Sequence, residues 1–339
     1  MIAAITDASL LKAFTGQTVE GVATVDALRE SISSPAISLR LIRPIEDPDM
    51  IKTHTLELPD VDLVYDVRGP IPTADSRPVL LMVGQPMCAD GFETLASHFT
   101  DRTVVTYDPR GLGRSGTRRD GRTDQTPADQ SADLHALVAA LDAGPVDIFA
   151  SSGGAVSCLA LVAAYPDDVA TLVAHEPPLN SVLPDSSAAT RVRQQVHDAY
   201  QSGGSNAGMA QFIASTMWQG EYTDDYFAQP PTDPAMFGMP TSDDGSRDDP
   251  LLSQRAWAIT DYKPDLDALK AAPTRIVIAV GEETGDTYTG RTARAIAERL
   301  SQEAVVFPSH HGGFVGGEHG YAGKPTEFAA RLHEVLDGA

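Results

Sequence analysis

Six continuous runs of apolar and β-branched residues recur along the chain and predict buried strands. They are PVLLMVG (78–84), TVVTYDP (103–109), VDIFAS (146–151), VATLVAHE (169–176), RIVIAVG (275–281) and EAVVFPS (303–309). Because their apolar residues are continuous rather than alternating, such runs are typical of strands that are covered on both faces of a parallel sheet. Segments with helical periodicity separate them, and this strand–helix alternation predicts an α/β fold with a doubly wound, mostly parallel sheet.

Two segments depart from this alternation. The first, THTLELPDVDLVYDVRG (53–69), alternates apolar and polar positions about a Pro-Asp turn, which predicts an antiparallel hairpin. The second is the stretch of nearly a hundred residues between the fourth and fifth apolar runs, which contains helical patches and many aromatic residues. A structureless loop of that length is improbable in a compact domain, so we expect a helical lid over 178–264.

These patterns predict a core domain formed by 50–177 and 265–339, with the lid inserted between the two parts. Residues 1–49 differ from the rest, because their apolar positions are loosely spaced and several prolines follow. We treat this segment as an N-terminal extension. It is either an accessory helical arm or a stretch upstream of an alternative start at Met50.

The net charge of the chain limits the classes of partner that it is expected to bind. Of 339 residues, 47 are acidic and 25 are Lys or Arg, which gives a net charge of −22 at pH 7. Such a surface repels phosphate backbones and anionic lipid headgroups, so we expect neither nucleic acid nor a membrane as partner. Cys88 and Cys158 are the two cysteines, too few for a disulfide framework, and no Cys/His spacing indicates a metal site. With no signal-peptide pattern, the sequence predicts a cytoplasmic protein that acts on a small molecule.

The segment VDIFASSGGAVSCLALVAAYP (146–166) contains a candidate catalytic residue. A buried strand ends near Ala150 and a helix rich in small residues begins near Gly153, so that Ser152 lies on a tight turn. A serine exposed on such a turn has room only for small neighbours two positions away, a requirement that Ala150 and Gly154 meet. Ser152 is therefore a candidate nucleophile, although Ser-Gly-Gly is also an ordinary arrangement at the start of a helix.

Other segments complete a resemblance to the α/β-hydrolase family that runs from about Thr53 to the C-terminus. YDPRGLGRSG (107–116) is similar to the family's loop after strand four, and GQPM (84–87) falls where its oxyanion loop follows strand three. FPSHHGGF (307–314) resembles its histidine loop, and the long insertion falls where the family places its lid. The resemblance implies an α/β-hydrolase fold in which Ser152 is the nucleophile.

The resemblance also implies a base and an oxyanion hole. His311 follows the last predicted strand, from which a general base could reach Ser152 across the carboxyl edge of the sheet. Its neighbour His310 and the nearby His319 are the alternatives. Gly153 and Gln85 resemble the residues whose backbone N–H groups form the oxyanion hole, although Gln85 could equally be a simple loop residue.

Two carboxylates compete for the role of orienting the histidine. The family's usual position follows strand seven, where this chain has Thr284, and Asp286 lies two residues further on. A less common layout in the family puts the carboxylate directly after strand six, and Glu176 occupies that place. A carboxylate at the end of a buried strand needs a partner, which an imidazole provides. We therefore favour Glu176, with Asp286 as the alternative.

Together these features predict a serine hydrolase that cleaves a small-molecule carboxylic ester or lactone through an acyl-enzyme on Ser152. No metal and no organic cofactor is expected. One alternative is a cofactor-free perhydrolase, similar to haloperoxidases, which uses the same three residues. The other is a non-catalytic ligand-binding protein, which is suggested by three departures from the family pattern: Ala150 for Gly, Val83 for His and Thr284 for Asp.

Overall fold

The structure is a computed structural model, and it describes residues 51–73, 77–318 and 322–338. Two of the sequence predictions, the extension over 1–49 and the alternative base His319, lie outside these residues.

Within the part of the chain that the structure describes, eight strands form one sheet in the order β1-β2-β4-β3-β5-β6-β7-β8. The strands are β1 (Ile51–Glu57), β2 (Asp62–Arg68), β3 (Leu80–Val83), β4 (Val104–Tyr107), β5 (Val146–Ser151), β6 (Val169–His175), β7 (Arg275–Gly281) and β8 (Val305–Phe307). β2 pairs antiparallel with both β1 and β4, and every other pair is parallel. The predicted fold class is therefore confirmed, and the predicted hairpin is present as β1 and β2.

Nine helices accompany the sheet in the described ranges. They are α1 (Glu93–Ser97), α2 (Pro127–Leu141), α3 (Gly153–Ala164), α4 (Ser186–Met217), α5 (Asp224–Phe227), α6 (Trp257–Thr260), α7 (Leu266–Ala271), α8 (Tyr288–Arg299) and α9 (Pro325–Leu336). None of them is long and apolar enough to cross a membrane. The start of α2 is set by Thr126, whose side chain accepts a hydrogen bond from the Asp129 N–H, as an N-cap residue does.

Helices cover both faces of the sheet, which explains the continuous apolar runs. In β3, Leu81 and Val83 pack in one core cluster with α2, α3 and α8, whereas Leu80 and Met82 pack in a second cluster with α1 and α9. Successive side chains of a strand point to opposite faces, so a strand covered twice must be apolar at every position. Burial of each Leu or Val contributes about 1.5–3 kcal/mol.

The segment between β6 and β7 contains the helices α4 to α7. The long helix α4 is kinked at Gly204, whose φ is 78°. A Cβ at this residue would lie 2.5 Å from carboxylate oxygens of Asp243 and Asp244, so glycine is required both by the backbone conformation and by the lack of space. The predicted insertion is thus helical, while its function as a lid stays a prediction.

Candidate active site

Ser152 lies on the turn between β5 and α3, with φ 56° and ψ −128°. A positive φ is strained for a serine and is typical of a nucleophile that projects from a sharp strand-to-helix turn. The Ser152 N–H donates a hydrogen bond of 2.9 Å to the carbonyl of His175 at the end of β6, which fixes the turn. Ser152 is only partly buried, in contrast to its buried neighbours Ser151 and Gly153.

The two glycines after Ser152 allow α3 to start very close to the loop that follows β3. A Cβ on Gly154 would lie 2.5 Å from the Val83 carbonyl oxygen, and a Cβ on Gly153 would lie 2.9 Å from the backbone oxygen and side chain of Gln85. Gly153 and Gln85, the two predicted oxyanion residues, are therefore in close contact. This contact also explains why the sequence has small residues here.

A buried network of amide side chains holds Gln85. Its Nε2 donates to Gln125 Oε1 at 3.3 Å, and Gln130 Nε2 on α2 donates to the same oxygen at 3.0 Å. Ser157 on α3 donates to Gln130 Oε1 at 2.6 Å. All four side chains are buried. Sequence reasoning missed this network, because no local pattern links Gln85 to a partner forty residues away.

The structure brings His311 and Glu176 together. His311 Nδ1 lies 2.6 Å from Glu176 Oε2, and the carboxylate is fully buried. Its Oε1 accepts hydrogen bonds from the Gly281 N–H at 2.9 Å and the Thr284 hydroxyl at 2.6 Å, while the Thr289 hydroxyl donates to Oε2 at 2.7 Å. Four donors thus fix both oxygens of Glu176. Thr284, at the position where the family usually has its acid, instead holds the carboxylate.

The alternative residues have other surroundings. The side chain of Asp286 is 74% exposed, and its Oδ1 lies 3.4 Å from Arg294 Nη1. His310 accepts a hydrogen bond from the Gly312 N–H through Nδ1 at 3.1 Å. The hydrogen bond that would orient a catalytic imidazole is therefore the one between Glu176 and His311.

A second histidine lies beside this pair and was not singled out from the sequence. His175 is fully buried at the end of β6, and its ring centroid is 5.9 Å from that of His311. Its Nδ1 lies 3.3 Å from Ser151 Oγ, and its Nε2 lies 3.9 Å from Glu176 Oε1. A polar residue in an otherwise apolar buried strand was the signal that could have identified it.

Burial and charge set the protonation states of this cluster. Burial lowers the pKa of His175 to about 4, so this ring is neutral at neutral pH. Burial alone raises the pKa of Glu176, but the hydrogen bond and charge of His311 outweigh it and hold that pKa well below its ordinary value. The cluster therefore combines an ionised Glu176 with a neutral His175.

The three residues predicted to form the catalytic site all follow parallel strands of the sheet. Ser152 follows β5, Glu176 follows β6 and contacts His311, and His311 follows β8, so the three residues lie at the carboxyl edge of the sheet. This edge is where open α/β sheets bind their ligands. The N-terminus of α3 adds a partial positive charge beside Ser152, which favours a developing oxyanion.

Comparisons with known proteins agree with this geometry. Residues 77–286 match the family model of the alpha/beta hydrolase fold. The chain is 30% identical over 295 residues to the uncharacterized hydrolase YraK of Bacillus subtilis (strain 168), which covers 85% of this chain and 97% of that protein.

Solved structures share the fold at lower identity. A thermophilic esterase from Thermogutta terrifontis is 19% identical, with a TM-score of 0.55 over 84% of this chain and 97% of that one. The proline iminopeptidase of Mycobacterium smegmatis is 19% identical, with a TM-score of 0.53 over 84% of this chain and 98% of that one. At this identity the likeness establishes the fold alone.

Proposed function

Because the chain belongs to the α/β-hydrolase family, we propose that it is a serine hydrolase that cleaves a small-molecule carboxylic ester or lactone. The observation that carries the proposal is the 2.6 Å contact between His311 Nδ1 and a buried carboxylate at the sheet edge where Ser152 stands on a strained turn. With Nδ1 bound to Glu176, Nε2 is the ring nitrogen of His311 that exchanges a proton with the serine hydroxyl.

Acylation begins when Ser152 Oγ attacks the carbonyl carbon of the ester and His311 takes the serine proton. The carbonyl oxygen becomes an oxyanion, which the backbone N–H groups of Gly153 and Gln85 stabilise. Collapse of this intermediate breaks the bond to the alcohol oxygen, and His311 returns the proton to the alcohol. Water then attacks the acyl-enzyme with the same base, releasing the acid and restoring Ser152.

The surroundings of Glu176 favour this cycle. The positive charge that develops on His311 is stabilised by a carboxylate that stays ionised, since its pKa is held low. Three of the four donors to the Glu176 carboxylate come from Gly281, Thr284 and Thr289, so its orientation does not depend on His311 alone. In this proposal the helical insertion between β6 and β7 acts as the lid over the site.

The proposal is tested by labelling with a fluorophosphonate probe and by hydrolysis of short-chain p-nitrophenyl esters. We expect the wild-type protein to be labelled and active, and Ser152→Ala to lose both. Ser151→Ala is the matched control, because Ser151 is the adjacent serine but is buried with its hydroxyl against His175. It should retain labelling.

Two results would contradict the proposal. Folded wild-type protein that neither reacts with the probe nor turns over esters would favour a ligand-binding protein. Labelling that persists in Ser152→Ala would place the nucleophile elsewhere.

A further inference from the structure

Gln125 lies near the end of the loop between β4 and α2 and is fully buried. Its Oε1 accepts hydrogen bonds from two other buried amides, Gln85 Nε2 at 3.3 Å and Gln130 Nε2 at 3.0 Å. In the part of the chain that the structure describes, Gln85 Oε1 has no partner. The bond to Gln125 is therefore the hydrogen bond that orients the Gln85 side chain, and loss of its acceptor would leave a buried donor unpaired.

The backbone of Gln125 is bound to the helical insertion. Its N–H donates to the carbonyl oxygen of Arg255 at 2.7 Å. Arg255 lies two residues before α6, within the segment between β6 and β7. Gln125 thus contacts the loop after β3 with its side chain and the insertion with its backbone.

The side chain of Arg255 fixes this junction through three backbone carbonyl oxygens. Its Nε donates to Thr123 at 2.9 Å and its Nη2 donates to Gly111 at 3.1 Å, both in the core loop between β4 and α2. Its Nη1 donates to Asp248 of the insertion at 3.1 Å. The Arg255 side chain is only 13% exposed. Because a guanidinium presents its donors in a rigid fork, one side chain joins the insertion to the loop on both sides of the contact.

The position of Gln85 matters because its backbone N–H is one of the two proposed oxyanion donors. The loop that carries it packs directly on α3, since a Cβ on Gly153 would lie 2.9 Å from the backbone oxygen of Gln85. An oxyanion donor must lie about 2.7–3.1 Å from the oxygen that it stabilises. A small displacement of Gln85 therefore weakens binding of the transition state more than binding of the substrate.

From these contacts we infer that Gln125 is a positioning residue for the oxyanion hole, and that Arg255 of the insertion holds Gln125 in place. The insertion then does more than cover the site, because its attachment to the loop between β4 and α2 sets the geometry at Gln85. This inference rests on the proposed function, since an oxyanion hole acts only where Ser152 attacks a carbonyl.

The first test is Gln125→Met, which keeps the length of the side chain but removes the amide oxygen. Removal of one oxyanion donor costs about 10²–10³ in kcat, so a misplaced donor should cost less, about tenfold. We expect this loss in kcat for p-nitrophenyl esters, with KM changed by no more than about twofold. The rate of fluorophosphonate labelling should fall in parallel, because the phosphoryl oxygen of the probe occupies the oxyanion hole. An unchanged kcat, or a loss confined to the thermal midpoint, would overturn the inference.

A double-mutant cycle tests whether Gln125 acts through Gln85. Gln85→Met keeps the backbone N–H of that residue but removes the amide that Gln125 binds. In the Gln85→Met background, Gln125→Met should lower kcat by less than about twofold, because the contact that it breaks is already absent. Equal losses from Gln125→Met in the two backgrounds would show that Gln125 affects activity by another route, and the inference would fail.

Arg255→Met tests the part assigned to the insertion. It removes three side-chain hydrogen bonds but keeps the carbonyl that binds Gln125, so we expect a partial effect, a loss of about threefold to tenfold in kcat and in labelling rate. Arg299→Met is the matched control, because Arg299 on α8 donates to the carbonyls of Ser181 and Val182 at the start of the insertion, at 3.4 and 2.9 Å. It should leave both rates within about twofold of wild type. Equal losses in the two variants would reflect general loosening of the insertion and would overturn the role of Arg255.

The wild-type protein separates failure of this inference from failure of the proposed function. Wild-type protein that is neither labelled by the probe nor active on esters would contradict the hydrolase, and the inference with it. A wild-type protein that is labelled and active, together with Gln125→Met of unchanged kcat, would leave the hydrolase intact and overturn the positioning role alone.

Discussion

His311 Nδ1 lies 2.6 Å from Glu176 Oε2, although 135 residues separate the two along the chain. The contact forms because parallel strands bring their carboxyl ends to one edge, where Glu176 follows β6 and His311 follows β8. Thr284, which replaces an acid in the loop after β7, contributes a hydroxyl 2.6 Å from the carboxylate. The carboxylate that contacts His311 therefore follows β6, and Thr284 in the loop after β7 supports it.

This arrangement predicts a large effect of Glu176→Gln. The variant loses the charge that stabilises protonated His311, so kcat for p-nitrophenyl esters should fall by about 10²–10⁴. Asp286→Asn, at the other carboxylate considered from the sequence, should leave kcat within about twofold, because that side chain is exposed beside Arg294. Comparison of these two kcat values with that of the wild type decides which carboxylate orients His311. A large loss in Asp286→Asn alone would reverse the assignment.

The position of Thr284 permits a rescue experiment. An aspartate at 284 would place a carboxylate close to the site that Glu176 occupies, since the Thr284 hydroxyl touches it now. We expect Thr284→Asp to restore kcat at least tenfold when combined with Glu176→Gln. In the wild-type background it should lower activity, because two carboxylates would then compete for one imidazole. Kinetics of the four proteins check this prediction, and a double variant no faster than Glu176→Gln would contradict it.

Contact between Gly153 and Gln85 predicts that Gly153→Ala impairs the oxyanion hole. The added Cβ would lie 2.9 Å from the Gln85 backbone oxygen and must push the loop away from α3. Loss of one oxyanion donor costs about 10²–10³ in kcat, so a fall of that size is expected with little change in KM. The thermal midpoint, measured alongside, separates this effect from unfolding. An unchanged kcat would show that Gln85 supplies no donor.

Burial of His175 predicts acid sensitivity of folding. Its pKa is about 4 in the folded protein and about 6.5 when unfolded, so the unfolded state binds the extra proton and stability falls as pH drops through this window. Between pH 7 and pH 5 this single group accounts for about 2 kcal/mol of lost stability. Urea unfolding at both pH values should show that His175→Phe loses less unfolding free energy than the wild type does, by about 2 kcal/mol. Equal losses in both proteins would contradict a neutral buried imidazole.

The alternation of strands and helices could be predicted from the sequence because burial on both faces leaves a continuous apolar run, as in Leu80 to Val83. Ser152 could be proposed as a nucleophile because the requirement for small neighbours is local. The hydrogen bonds between Thr284 and Glu176 and between Gln85 and Gln125 could not be predicted from the sequence. Each joins residues that are 40 or more positions apart and that only the folded sheet brings near. The choice between Glu176 and Asp286 stayed open for the same reason.

Attachment of the insertion to the core gives a last prediction. Asp185, just before α4, accepts hydrogen bonds from both terminal nitrogens of Arg291 on α8, at 2.7 and 3.0 Å, and from the Tyr222 N–H at 2.9 Å. The two charged side chains are 7% and 12% exposed. Burial by itself raises the pKa of Asp185, but Arg291 and the other donors lower it overall, so the pair stabilises the fold above about pH 4 and fails as pH falls through the lowered pKa.

Removal of one partner leaves a buried charge unpaired, so Asp185→Asn should lower the free energy of unfolding by about 3 kcal/mol at pH 7. Asp243→Asn is the matched control, because the pair of Asp243 with Arg247 is exposed and should contribute little. Urea unfolding of Asp185→Asn, Arg291→Gln and the double variant should be strongly non-additive, as expected for residues in contact. Additive losses would show that the two residues stabilise the protein independently, and the insertion would then be held by its apolar contacts instead.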